Sequence, residues 1–172
     1  MLRSWRQYKM FAVVAWLIVG AVEVSANTAA TGTYRWWGIK IYDATLEHPG
    51  GQPNEVMYAR PLKFTIVYDI GIDKDDLLET TIEQWEELAI SRTESCQERQ
   101  PWVQRLSQIW PNLEQGDSLT FEVFQNGESQ FLYNQKPIGT LADTQFAPCF
   151  LAIWLAEDTS ASSLRKQLLN LE

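Results

Sequence analysis

The chain has 172 residues, of which 22 are acidic and 14 basic, so its formal net charge is −8. This excess of negative charge argues against nucleic acid and anionic membrane surfaces as partners, because both would repel the chain. The length fits a single domain that buries a core of its own.

The first 26 residues are predicted to be a signal peptide. Arg3, Arg6 and Lys9 precede an apolar run at residues 10–22, and small residues follow at positions 24–26. The run is shorter than the roughly 20 residues of a membrane span, so we expect cleavage after Ala26 and export, with a retained anchor as the alternative. The remaining domain, residues 27–172, then carries a net charge of −10 and no stable membrane span.

Strand-forming residues dominate the start of this domain. Trp36, Trp37, Ile39 and Tyr42 favour one long strand over residues 33–46. Residues 48–54 are rich in proline and glycine, which predicts a loop. Apolar side chains then alternate over residues 61–68, which predicts a second strand.

Two helices are predicted next along the chain. Asp73 is placed to cap the first helix, and the acidic residues on its outer side predict a solvated face. Pro101 suits the first turn of the second helix, which Pro111 ends. The apolar stripe of the first helix consists of Leu78, Ile82, Trp85 and Ala89.

The last third of the chain predicts a hairpin. Residues 119–124 alternate as a strand, and residues 131–133 return the chain. Asn126 and Gly127 are expected to form the tight turn, because both tolerate positive φ. A short strand follows at residues 138–141.

Two C-terminal helices complete the domain. Residues 146–155 are apolar on nearly every side, which predicts a buried helix, with Asp143 as its N-cap. Thr159 or Ser160 is expected to cap the last helix. The element order predicts an α+β domain, in which helices cover one face of an antiparallel sheet.

Cys96 and Cys149 are the two cysteines of the chain. In an oxidising compartment they can form one disulfide. The alternative is two separate thiols, with Cys149 a small core residue. The sequence leaves both possibilities open.

No metal, cofactor or catalytic motif is evident in the sequence. The single histidine, His48, has no partners at ligand spacing, and we expect it to be exposed in a loop. Asp73, Asp75 and Asp76 lack the glycine and terminal glutamate of a calcium loop, so helix capping explains them better. We predict no cofactor and no metal site.

Aromatic and polar residues on the strands remain as candidates for binding a small ligand. Trp36 and Trp37 are adjacent, so in a strand they face opposite sides and one can line a groove. Polar groups nearby could contact a carbonyl or carboxylate of an apolar ligand. The candidate ligand-binding residues are Arg35, Trp36, Trp37, Tyr42, Tyr68 and Tyr133.

Four blocks of sequence resemble the bacterial chalcone isomerase-like proteins. They are GIKIYDATL at residues 38–46, RPLKFTIVYDIGIDKDDL at 60–77, GDSLTFEVF at 116–124 and FAPCFLAIWLAEDTSASSLRKQLL at 146–169. The resemblance covers nearly all of the domain, and the last block is its most specific part. It implies an open-faced sandwich, in which helices cover a large antiparallel sheet.

The plant enzymes of the wider superfamily have catalytic residues that this chain lacks. Plant chalcone isomerases surround the reacting group with a strand-borne arginine, a threonine on the next strand and a tyrosine near the start of a helix. In this sequence Trp37 falls near the threonine position, and Leu77 or Leu78 near the tyrosine position. The fold is therefore carried over, and no catalytic residue is.

The predicted function is that of an exported, non-catalytic chalcone isomerase-like protein of the bacterial periplasm. It would bind a small apolar or amphipathic molecule, such as a fatty acid, between sheet and helices. One alternative is an isomerase or lyase that acts on an unsaturated carbonyl compound through Arg35 and Tyr42. A second is an interaction domain whose cleft is filled by side chains such as Trp36 and Trp37.

Overall fold

The computed structural model describes residues 28–97 and 99–171. The predicted signal peptide and its cleavage site lie outside the described residues. The described chain forms a six-stranded antiparallel sheet in which the strands follow one another in chain order. The strands are β1 (Thr28–Trp36), β2 (Ile39–His48), β3 (Leu62–Tyr68), β4 (Ser118–Val123), β5 (Ser129–Tyr133) and β6 (Lys136–Leu141).

Helices occupy two places in this order. Three lie between β3 and β4: α1 (Lys74–Glu87), α2 (Glu94–Gln97) and α3 (Gln100–Ile109). Two follow β6: α4 (Phe146–Leu155) and α5 (Ser162–Leu168). Short 3-10 segments occur at Val56–Tyr58 and Ala89–Arg92.

The two faces of the sheet differ in polarity, which confirms the predicted α+β fold. Along β3, Leu62, Phe64, Ile66 and Tyr68 are buried on the helix-covered face. On the other face, Thr65 and Thr120 face each other across β3 and β4, with their hydroxyls 3.1 Å apart. One apolar and one polar face are typical of an antiparallel sheet that is covered on one side.

The predicted buried helix is α4. All ten of its residues are buried. Phe150 packs against Phe121 and Phe131 of the sheet, with ring centroids 4.9 and 5.3 Å apart, and against Trp110 beyond α3. This helix therefore lies between the sheet and the outer helices, which explains its apolar surface.

The structure corrects the prediction of one long strand over residues 33–46. The chain turns back at Trp37 and Gly38, which have φ of +49° and +83°, and Trp36 pairs with Ile39. Two positive φ values in a two-residue loop are typical of a type I′ hairpin turn. Strand-favouring tryptophans hid this turn from sequence reasoning, because the first loop position of a type I′ turn usually carries asparagine or glycine.

The turn prediction at Asn126 and Gly127 was half right. Gly127 has a φ of +87°, but Asn126 does not have a positive φ. The amide of Gly127 donates to the carbonyl of Phe124, and Phe124 pairs with Glu128, so the loop has three residues rather than two. Such loops place glycine at the left-handed position.

The three predicted helix caps hold only in part. Asp73 occupies the N-cap position of α1, but Asn112 Oδ1 accepts a hydrogen bond from the Lys74 amide. Gln145, not Asp143, is the N-cap of α4, although Asp143 Oδ1 accepts from the Gln145 amide. Ala161 is the N-cap of α5, and Oγ1 of the predicted residue Thr159 accepts a hydrogen bond from its amide. At α4 and α5 the predicted residue therefore contacts the amide of the N-cap residue, which lies two positions later in the chain.

Two further predictions about burial were wrong. Ala89, assigned to the buried stripe of α1, is exposed because α1 ends at Glu87 and the chain changes direction. His48 is 6% exposed at the end of β2, and its Nδ1 accepts a hydrogen bond from the Gly50 amide.

Cys96 and Cys149 are joined by a disulfide, with their Cα atoms 5.8 Å apart. The bond connects α2 to the buried helix α4. Within the described ranges, no helix is long and apolar enough to cross a membrane.

Candidate functional site

A cleft of about 430 Å³ lies between the β1–β3 end of the sheet and the helices. Helix α1 covers one side of it, and α4 with the loop that follows covers the other. The sheet contributes Tyr34, Trp36, Ile41, Tyr42, Ile66 and Tyr68. The helical side contributes Ile72, Leu77, Thr80, Thr81, Glu83, Gln84, Ile153, Trp154, Ser160 and Ala161.

Three tyrosines form a row across the floor of the cleft. Tyr34, Tyr42 and Tyr68 lie directly opposite one another on β1, β2 and β3. The rings of Tyr34 and Tyr42 stack with centroids 5.0 Å apart, and those of Tyr42 and Tyr68 meet edge to face at 5.8 Å. Cross-strand aromatic pairs of this kind stabilise a sheet and fix its register.

Trp154 of α4 orients the central tyrosine. Its Nε1–H donates a hydrogen bond to the Tyr42 hydroxyl at 2.8 Å. Burial raises the pKa of the Tyr42 phenol well above its ordinary range, so the group stays protonated. Its own proton then remains available to an acceptor that enters the cleft.

Tyr68 is also buried, and burial raises the pKa of its phenol. Among the described residues, no side chain forms a hydrogen bond with its hydroxyl. The Tyr68 hydroxyl is not among the buried polar atoms that lack a partner, and Tyr68 lines the cleft, so this group borders the open space. The Tyr68 hydroxyl therefore provides a second hydrogen-bonding group for a ligand in the cleft.

The charges around the cleft are unevenly distributed. Among its lining residues there is no cation, and Glu83 is the one carboxylate. A second cavity of about 510 Å³ adjoins the cleft along the edge of β1 and shares Tyr34, Trp36, Ser160 and Ala161 with it. Arg35 lines this adjoining cavity and donates a hydrogen bond to the Gly38 carbonyl at 3.3 Å.

Comparison with known proteins places this chain in a family. A family model described as chalcone isomerase-like matches residues 24–170. The chain belongs to the chalcone isomerase-like family. This result confirms the resemblance that the four sequence blocks indicated.

Two relatives of this chalcone isomerase-like chain are informative. An uncharacterized protein of Haemophilus influenzae is 25% identical over 138 residues, which are 79% of this chain and 64% of the relative's length. A crystal structure of a fatty-acid binding protein of Arabidopsis thaliana superimposes with a TM-score of 0.60 at 7% identity, covering 85% of each chain. At that identity the likeness shows the shared fold alone.

The structure brings three of the six predicted ligand-binding residues of this chalcone isomerase-like protein together. Trp36, Tyr42 and Tyr68 all line the cleft. Trp37 does not line it, because the hairpin turn leaves its side chain 87% exposed. Arg35 lies in the adjoining cavity.

Tyr133 belongs to a different part of the protein. Its hydroxyl donates a hydrogen bond to Asp117 Oδ2 at 2.6 Å, beside the β5–β6 turn. This contact raises the pKa of the Tyr133 phenol. Tyr133 is a structural residue and does not line the cleft.

Sequence reasoning missed Tyr34 and Trp154 as cleft residues. Tyr34 could have been found, because it lies two positions from Trp36 in a strand and therefore faces the same side. Trp154 was interpreted as core, since its helix is apolar all round. Trp154 differs from the other side chains of α4 in its indole N–H, and only the fold shows that this group donates a hydrogen bond to Tyr42.

The cleft offers hydrogen bonds rather than metal ligands. Within residues 28–97 and 99–171, no group of three histidine, cysteine or acidic side chains could hold a metal ion. Leu77, which with Leu78 was expected near the position of the plant tyrosine, lines the cleft with an aliphatic side chain. The cleft thus combines an apolar lining with the protonated phenols of Tyr42 and Tyr68, whose pKa values burial raises.

Proposed function

We propose that the protein is an exported, non-catalytic carrier that binds a small apolar or amphipathic molecule, such as a fatty acid, in the cleft between sheet and helices. The observation that supports this most is the open cleft of about 430 Å³. Ligand sites commonly have volumes of about 300–1,000 Å³ and an apolar lining with a few fixed polar groups. Neither Trp36 nor Trp37 fills the space, so a side-chain-filled interaction domain is disfavoured.

The two cavities suit the two ends of an amphipathic molecule. An alkyl chain can lie along Ile66, Leu77 and Ile153 in the cleft, where no cation is found among the lining residues. A carboxylate can reach Arg35 in the adjoining cavity, and a carbonyl can accept hydrogen bonds from Tyr42 and Tyr68. The similarity in fold to a plant fatty-acid binding protein is consistent with this ligand class.

Binding fits the chemistry of the cleft better than isomerisation does. Burial raises the pKa of Tyr42 and keeps the phenol protonated, so it donates a hydrogen bond but does not act as a base. Arg35, the expected partner of Tyr42 in the isomerase alternative, lines the other cavity. If a Tyr42→Phe variant abolished turnover of an unsaturated carbonyl compound, the non-catalytic proposal would fail.

Export to the periplasm is part of the same proposal. A basic segment, an apolar run and small residues open the sequence. The Cys96–Cys149 disulfide supports an oxidising compartment. Fractionation of cells followed by N-terminal sequencing tests this point, and we expect a periplasmic chain that begins at Asn27.

The ligand is tested by native mass spectrometry of protein purified from its own compartment, with organic extraction of what co-purifies. We expect a bound lipid of fatty-acid type. A Thr80→Trp variant should exclude it, because Thr80 is exposed on α1 but lines the cleft. Glu79→Trp, one residue away and outside the lining, is the matched control and should retain the ligand. A bare wild-type mass, together with no binding of a fluorescent fatty acid, would contradict the proposal.

A further inference from the structure

The tip of the β1–β2 hairpin is an exposed apolar surface that the ligand cleft does not account for. We define the aromatic tip as Trp36, Trp37, Gly38 and Ile39. The side chains of Trp36, Trp37 and Ile39 are 61%, 87% and 59% exposed, respectively. Trp36 and Trp37 meet edge to face, with ring centroids 6.5 Å apart, and form one surface. Exposed apolar groups that cluster in this way mark an interaction site.

Folding alone does not explain tryptophan at position 37. A φ of +49° is a left-handed conformation, which is uncommon for a bulky side chain. Asparagine or glycine would suit this turn better and would not expose an indole to water. Trp37 therefore strains the backbone of the turn, and its side chain gains almost no burial on folding to offset that strain. This combination indicates a function for the residue.

We propose that the aromatic tip docks the protein onto a zwitterionic phospholipid surface. Indole rings favour the headgroup region of a bilayer, because they combine a large apolar surface with one N–H donor. A two-residue hairpin turn projects from the sheet, which suits shallow insertion. The tip contains no charged residue that insertion would have to desolvate.

The charges next to the tip favour a neutral lipid surface over an anionic one. Lys40 Nζ lies 2.7 Å from Asp43 and 2.9 Å from Asp69, so these carboxylates already neutralise it. Arg35 is the remaining cation at the base of the hairpin. The domain as a whole has a net charge of −10, which opposes adsorption to anionic lipids.

The position of the tip relative to the cleft favours a membrane over a second copy of the chain. Trp36 belongs to the tip and also lines the cleft and the adjoining cavity. Insertion of the tip would hold the Trp36 wall of both cavities against the lipid surface. An apolar molecule could then pass between bilayer and cleft without crossing water. A narrow hairpin tip buries little area against another protein.

The test uses the full-length gene, with the protein purified as the host cell processes it. Wild type should float with phosphatidylcholine vesicles, and brominated phosphatidylcholine should quench part of its tryptophan fluorescence. In a Trp37→Asn variant the part of the fluorescence that brominated lipid quenches should be lost, and the partition coefficient for vesicles should be lower by about tenfold or more. The same variant should have a higher Tm, because asparagine suits the turn, so the loss cannot be attributed to unfolding. Tyr58→Asn, which removes a side chain that is 56% exposed elsewhere, is the control and should bind like wild type.

The quenching measurement keeps the test valid if residues 1–26 remain attached. Those residues are common to all variants, and the difference between wild type and Trp37→Asn reports the tip alone. Three results would overturn the proposal: no quenching of the tip, partitioning that needs anionic lipid and disappears with salt, or a wild-type dimer that Trp37→Asn converts to a monomer without vesicle binding. None of these depends on the cleft ligand, so failure here leaves the proposed carrier function standing.

Discussion

At the scale of single residues, the contact between Trp154 and Tyr42 connects the core to the cleft. The indole N–H meets the phenol oxygen at 2.8 Å, where α4 crosses β2. A Tyr42→Phe substitution removes the acceptor and leaves a buried N–H without its partner, which costs about 1–3 kcal/mol. We expect the free energy of unfolding in urea to fall by that amount.

The matched control for this substitution is Tyr133→Phe. Tyr133 also loses a hydrogen bond, but its partner Asp117 lies beside an exposed turn. Water can replace the lost contact there, so the cost should be smaller. Equal losses in the two variants would show that burial of the Trp154–Tyr42 contact adds nothing to its contribution to stability.

A second prediction at the residue scale concerns pH. Burial raises the pKa of Tyr42 and of Tyr68, so the folded state holds both phenols protonated. The unfolded chain releases these protons near pH 10, the ordinary value. The contribution of these two groups to the free energy of unfolding is therefore fully present below about pH 10, and it is lost as the pH rises above that value.

Replacement of Tyr68 tests this sign. In a Tyr68→Phe variant one of the two phenols no longer titrates, so stability should decline less steeply between pH 10 and 12. Urea unfolding at several pH values measures the slope. The Tyr133→Phe variant does not serve as a silent control here, because contact with Asp117 raises that pKa too. An unchanged slope in Tyr68→Phe would refute the prediction.

At the scale of elements, close packing of helix on strand depends on small residues. A Cβ added at Gly32 of β1 would lie 2.6 Å from Leu164 Cδ1 and 2.8 Å from Gln167 Cβ, both on α5. A Gly32→Ala substitution must therefore displace α5 from the edge strand, at a cost of about 1–3 kcal/mol. Thermal unfolding should show a lower Tm. Thr31→Ala, one residue away and exposed, should change the Tm less, and a larger effect there would contradict this account.

The elements also show what the sequence could and could not predict. Strand β3 and helix α4 follow directly from their apolar patterns, because burial on one or all sides leaves a periodic signal. The β1–β2 turn left none, since Trp37 occupies a left-handed position that strand-favouring tryptophan rarely takes. The side-chain cap predicted for Asp73 failed for a related reason: Asn112 reaches α1 from a distant loop, and local sequence contains no trace of that contact.

At the scale of the whole molecule, the family and the fold were predictable, and the cleft was predictable only in part. Tyr42 and Tyr68 were found because strand aromatics are natural candidates for a groove. Their arrangement beside Tyr34 depends on the pairing of β1, β2 and β3, which only the folded sheet establishes. Arg35 directly follows Tyr34 on β1, and successive side chains of a strand point to opposite faces, so Arg35 lies apart from the three tyrosines.

The disulfide acts on the molecule as a whole. Cys96 and Cys149 are 53 residues apart in sequence, and their bond encloses α3, β4, β5 and β6. A loop of this length restricts the unfolded chain, which the chain-entropy model equates with about 4 kcal/mol of stability. Both cysteines are buried, so alanine can replace each without exposing a new polar group.

We therefore expect the free energy of unfolding in urea to be about 4 kcal/mol lower in a Cys96→Ala, Cys149→Ala double variant. Reductant should lower the urea midpoint of the wild type toward that of the double variant. Reductant should leave the double variant unchanged, which makes it the internal control. Thiol titration of the unfolded, unreduced wild type should find no free thiol. Two free thiols, or a midpoint that reductant does not move, would refute the bond. They would also remove the support that it gives to export, because a protein kept in a reducing compartment would not retain the disulfide.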